Sequence, residues 1–109
     1  MIAAERVLQI RGSNGNTPVL VQIQVPVLDR DAWICRYSIG WPDGMANGYA
    51  PAMDAVQALH FALQRVAILL YASTHHRDGT LYFETPGEGY GFPLPRSSMD
   101  LAIGLDKNM

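Results

Sequence analysis

"MDAVQALHFALQRVAILLYASTHH", Met53–His76, is the stretch that decides the fold. Asp54, followed three residues on by Gln57, fits a capping box, in which side chains satisfy amide donors that the first helical turn leaves open. The expected helix runs to about His76, where "RDG" supplies the glycine that helices favour just past their ends. That gives roughly 22 residues and about 33 Å at 1.5 Å per residue. At about 100° per residue, Val56, Leu59, Leu63, Val66 and Leu70 share one arc, which is expected to lie on a sheet.

The opposite arc holds Gln57, Phe61, Gln64, Ile68, Ala72 and His75, with Arg65 at its border. Phe61 and Ile68 therefore stack two turns apart among polar neighbours. Burying a Phe or Ile fully is worth about 1.5–3 kcal/mol, a large part of a small domain's net stability, so a cover is expected. Two covers are available. One is the C-terminal segment with Phe92, Leu94, Leu101, Ile103 and Leu105; the other is a second protein surface.

The segments before the helix read as strands. "AERVLQIRG" and "TPVLVQIQVPV" flank "SNGN", where Asn14-Gly15 tolerates the positive φ angles of a tight hairpin. In the second strand Val19, Val21, Ile23, Val25 and Val27 point one way and Leu20, Gln22 and Gln24 the other. "LDRDA" interrupts, and "WICRYSIGW" resumes with Trp33, Cys35, Tyr37, Ile39 and Trp41 on one face. "WPDG" has the proline and glycine of a chain reversal, so "MANGYA" returns as a fourth strand that Pro51 ends. After the helix "TLYFE" reads as a fifth strand, "TPGEGYGFPLP" as a loop, and "SSMDLAIGL" as a short terminal helix capped by Ser97 or Ser98.

Composition bounds the class. A chain of 109 residues, 49% hydrophobic and 17% charged, is of single-domain size and far from the signature of disorder. Ten acids against eight bases leave a net charge of -2, and the seven arginines are scattered along the chain beside the single Lys107. That lacks the clustered basic footprint of a nucleic-acid binder. The lone Cys35 can form no internal disulfide, and its expected role is packing in a reducing compartment. Glu5 and Arg6 interrupt the apolar stretch a signal peptide needs, and "VAILLYA" is too short an apolar run to span a bilayer, so a cytoplasmic protein without a membrane partner is expected.

Catalytic signals are weak. His75-His76 with Asp78 offers metal-ligating types, but adjacent helical residues diverge by about 100° and no H-x-x-x-H spacing aims two imidazoles at one point. "GEGYGF" is similar in composition to phosphate loops, yet Pro93 and Pro95 follow where such loops need a helix. Asp29 with Asp31 and Glu84 with Glu88 flank turns and read as solvated charges. His60 lies on the helix flank as a partly buried polar residue. No nucleophile elbow, metalloprotease helix or CxxC is present.

The segments "AERVLQIRG", "YSIGWPDG", "QALHFALQ", "LYAS" and "GYGFPLP" together resemble a small bacterial family catalogued only as a domain of unknown function. The resemblance spans nearly the whole chain, and "IGWPDG", "QAL" followed by "ALQ", and "GYGFP" carry it most specifically. It implies a compact bacterial domain and transfers no catalytic or binding residue. In architecture, a small antiparallel sheet followed by a capped helix ("GYAPAMDAVQAL") also resembles the HicB-type antitoxin plan; fold analogy alone carries no function.

The expectation is a single α+β domain over 1–109: an antiparallel meander of four to five strands with one long helix packed across one face. The expected function is a non-enzymatic cytoplasmic protein-binding module of the immunity or antitoxin kind, with Phe61, Gln64, Arg65, Ile68 and Ala72 as partner-binding residues and no cofactor or metal. Two alternatives stand beside it. One is a homodimer using the same face; the other is a small-molecule binder or enzyme that joins Trp33, Tyr37 and Trp41 to the "GEGYGF" loop.

Overall fold

The computed structural model describes residues 1–109 and places four long strands in a meander: β1 (Ile2–Ile10), β2 (Thr17–Gln24), β4 (Ala32–Trp41) and β5 (Gly44–Ala52). A three-residue strand, β3 (Val27–Asp29), continues the line of β2 beyond Pro26 and pairs with the start of β4. After the helices the chain returns to the far edge, where β6 (Leu81–Tyr82) pairs with β1. All pairings are antiparallel, and the sheet runs β5-β4-β2-β1-β6, with β3 beside the outer part of β4. The architecture is α+β, as the alternation in the sequence predicts.

Burial follows that alternation. Leu8 on β1, Val19, Val21 and Ile23 on β2, and Cys35, Tyr37 and Ile39 on β4 are buried on one face, while Val7, Leu20 and Tyr49 lie exposed on the other. The split after Gln24 has a local cause: Pro26 has no N–H to give a ladder, so the strand is interrupted and Val25 and Val27 are left exposed. Two turns differ from expectation. The Asn14-Gly15 hairpin is a longer loop over residues 11–16, in which the Gly15 amide bonds the Gly12 carbonyl and only Gly15 takes positive φ. Pro51 does not end β5 but sits inside it, opposite Ile34, which an edge strand tolerates because one side of it needs no N–H donor.

The long helix, α1 (Ala55–Ala72), is capped as predicted: the Asp54 carboxylate accepts from the Gln57 amide at 2.7 Å. Gln57 reciprocates one residue earlier than a standard capping box, its Oε1 accepting from the Met53 amide at 2.9 Å. The helix lies over β4 and β5. Its buried face is Ala58, Ala62, Val66, Ala67, Leu70 and Tyr71, so alanines one turn apart bring the helix backbone close to the sheet. Leu59 and Leu63 pack at the margin, and Val56, expected in the core, is 78% exposed because it lies in the first turn, before Ala58 meets the sheet.

The helix ends four residues earlier than its periodicity suggests. Ser73 adopts extended backbone, donates its hydroxyl to the Leu70 carbonyl and accepts from the His76 amide, closing α1 and opening the single turn α2 (Thr74–Arg77). The break re-aims both histidines. His75 leaves the Phe61–Ile68 arc and stacks on Trp41, with ring centroids 5.3 Å apart. His76 turns inward against Tyr71 and Tyr90.

Helix α1 covers only half of the inner sheet face. Over the β1–β2 half lies the C-terminal segment, which buries Phe92, Leu94 and Ala102 in the same core. It ends in two 3-10 turns, Arg96–Leu101 and Gly104–Asn108, in place of the single helix expected; Pro95 starts the first, with no side-chain cap from Ser97 or Ser98. A segment engaged on the sheet does not cover the outward side of α1, and Phe61 and Ile68 remain 37% and 39% exposed.

Candidate functional site

Two places in the fold bring chemistry-bearing residues together: the outward side of α1, and the seam where the C-terminal segment closes on β1.

On α1, the sequence-predicted residues Phe61, Arg65, Ile68 and Ala72 are exposed and Gln64 is half-buried; Leu69 joins them at 38% exposure. His60 is exposed and tilts against Phe61, with ring centroids 6.3 Å apart. The Arg65 guanidinium donates to the backbone carbonyl of Tyr49, tying the helix to edge strand β5, whose exposed Met45 and Tyr49 side chains belong to the opposite face of the sheet. The same bond occupies an edge carbonyl near Pro51, and together they blunt β5 against pairing with another strand.

The seam was not legible as a site. Arg6 shares the inward face of β1 with Leu8, and its Nη1 donates to the carbonyls of Tyr90 and Gly91 at 3.1 and 2.9 Å. Its Cζ lies 4.4 Å from the Phe83 ring centroid and 5.0 Å from that of Phe92, in cation–π range of both. On the other side of the same loop stands Asp106, 2% exposed. Its carboxylate accepts from the Tyr71 hydroxyl at 2.6 Å and from the amides of Tyr90 and Gly91 at 2.8 Å each. The glycines of "GEGYG" make this possible. Gly89 (φ +89°) leaves room for the Asp106 carboxylate and Gly91 (φ +76°) for the Arg6 guanidinium, where a Cβ would collide with each. The loop does cradle an anion through its amides; the anion is the chain's own.

Burial controls the protons here. It pushes Tyr90 up to about 12, with the nearby Asp106 charge adding to the effect, and it raises Tyr71 further, helped by the bond to Asp106. His76 Nδ1 is hydrogen-bonded to the Tyr90 hydroxyl, and burial lowers its pKa, favouring the neutral ring. The Tyr71 hydroxyl also accepts the Ile103 amide at 3.2 Å. Each buried polar side-chain atom has a partner, so the cluster is built as a clasp between α1, the loop and the C-terminal segment.

The other candidates separate. His75 and His76 face Trp41 and Tyr90, not one point. Asp29, Asp31, Glu84 and Glu88 are exposed at turns. Trp33, Tyr37 and Trp41 pack in or against the core under α1, while the glycine loop lies over β1; the structure does not join them into a pocket. Cys35 is buried, its thiol raised by desolvation, with Sγ 3.3 Å from the Gln24 carbonyl. Helix α1 is apolar enough to cross a membrane by length and composition alone, with a mean hydropathy of 1.3 over 18 residues. Here it is the core helix of the sheet, with Gln57, Gln64 and Arg65 on its outer side.

The class so defined is an α+β domain whose antiparallel meander is covered half by a helix and half by a clasped C-terminal segment. The chain belongs to the family described as Domain of unknown function (DUF6968), whose model matches residues 4–94. Arg6, Tyr71, Tyr90 and Gly91 fall inside the matched span and Asp106 outside it. No curated protein and no solved structure shows significant similarity to the chain.

Proposed function

We propose that the protein is a non-enzymatic cytoplasmic binding module of the immunity or antitoxin kind, which docks another protein on the outward side of α1 through Phe61, Gln64, Arg65, Ile68 and Ala72. One observation carries the reading. The C-terminal segment has the apolar residues to cover Phe61 and Ile68, yet it is committed to the β1–β2 half of the sheet, leaving both side chains about a third exposed. An aromatic and an aliphatic anchor rimmed by glutamine and arginine is the composition of an interface centre. The blunted β5 edge favours side-chain docking on the helix over strand addition.

The test places a photo-crosslinking amino acid at Gln64 and, as a control, at Gln22 on the open sheet face, in cells that make the protein. The reading expects one defined heterologous adduct from position 64 that Phe61→Asp with Ile68→Asp abolishes. Equal adducts from both positions, or adducts indifferent to the double substitution, would contradict it.

A further inference from the structure

A cleft of about 340 Å³ opens between α1 and the C-terminal segment, on the inner face of β1 and β2. Its walls are mostly apolar, with Val21, Ile23, Leu63, Phe92 and Met109 among them; Glu5 and Arg6 also line it, and the Glu5 carboxylate accepts from Gln22 at 2.9 Å, across from it on β2. The volume is at the lower end of small-molecule sites, and an apolar wall with few polar groups is their usual composition.

The state of Arg6 gives the cleft its chemistry. A guanidinium has five N–H donors, and Nη1 spends its pair on the Tyr90 and Gly91 carbonyls. Nε and Nη2 donate to no protein acceptor, and no carboxylate hydrogen-bonds to the group. Nε with Nη2 is the edge of the guanidinium that meets both oxygens of a carboxylate in parallel. Two carbonyls and two phenylalanine rings hold this edge in place, so little side-chain entropy is left to lose on binding. The nearest buried acid, Asp106, is engaged by three donors on the far side of the loop.

We infer that this cleft is a binding site for a small organic carboxylate with an apolar body, the acid group on the Nε–Nη2 edge of Arg6 and the body against Val21, Ile23, Leu63 and Phe92. This site is separate from the docking face on α1 and stands on different observations.

The experiment titrates octanoate, octanol and acetate into the 15N-labelled protein and follows amide shifts. Octanoate is expected to saturate, with shifts centred on β1, β2 and residues 91–93, and to bind at least about tenfold more tightly than octanol or acetate, the scale of a charge-assisted hydrogen bond. Arg6→Gln is expected to remove that preference. Because Arg6 also secures the loop and its variant can lose structure, Leu63→Glu is run beside it; it leaves Arg6 in place, sets a negative charge at the wall, and is expected to weaken octanoate by a similar factor while the spectrum stays folded. Octanol or acetate binding as well as octanoate, a folded variant binding octanoate undiminished, or no saturable octanoate shift at all would overturn the assignment.

Discussion

Arg6 and Asp106 never touch, yet they hold opposite sides of the same two residues: Arg6 takes the carbonyls of Tyr90 and Gly91, and Asp106 takes their amides. One grip comes from the first strand and the other from the last turn of the chain, so together they close the C-terminal segment on the sheet. Asp106→Ala leaves the Tyr71 hydroxyl and two amides without their acceptor. We expect a loss of about 3 kcal/mol in urea unfolding, with Asp106→Asn losing less because an amide oxygen still accepts.

The clasp also sets an alkaline limit. Tyr71 and Tyr90 have folded-state pKa values raised by burial above the ordinary tyrosine value near 10, so the folded form keeps protons that the unfolded chain gives up. Their contribution to stability is complete below about pH 10 and is lost as pH rises toward the folded values. The thermal midpoint should fall steadily above pH 10, and less steeply in Tyr90→Phe; an equally steep fall in the variant would contradict this.

A third consequence concerns the helix–sheet distance. Ala58 and Ala62 are fully buried, and Ala62→Leu adds three carbons where the backbone of α1 approaches the sheet. It should cost about 1–3 kcal/mol, against less than about 0.5 kcal/mol for the exposed Ala72→Leu. Chemical denaturation of both variants makes the comparison.

Ser73 is the fourth. Its hydroxyl both closes α1 and caps α2, so Ser73→Ala should lower stability by about 1 kcal/mol and speed hydrogen exchange at the His76 amide. An unchanged exchange rate would mean that the break at Ser73 is held by packing alone.

Much of this was legible because burial on one side of a sheet imposes a period of two. Val19, Val21 and Ile23, then Cys35, Tyr37 and Ile39, announce the inner face, and "WPDG" and Asp54 announce the turn and the cap. What escaped depends on local competition or on distant contacts. The apolar periodicity of α1 fades only weakly through Ser73, where a hydroxyl satisfying both ends makes the break favourable. The alanine face of α1 was hidden because hydrophobic patterning weights Leu and Val, while close approach selects Ala. Arg6 did carry a signal: it alternates with Leu8 on the face that must be inward, and an arginine there requires partners. Asp106 carried none locally; only the glycine spacing of "GEGYG" pointed to an anion, and nothing near the loop in sequence said the chain itself supplies it.

The outward side of α1 is the centre of the account, and light scattering on the native chain and on the Phe61→Asp, Ile68→Asp double variant tests it most directly. The account predicts a native mass of 12.0 kDa and a double variant that is folded, of the same mass, and less stable by about 2–3 kcal/mol, the loss of the part of each side chain that already packs on the helix and its neighbours. A native mass of twice that value, split to monomers by the substitutions, would make the face a self-association surface. Unfolding of the double variant would make it part of the chain's own core; either result would contradict docking of a foreign protein there.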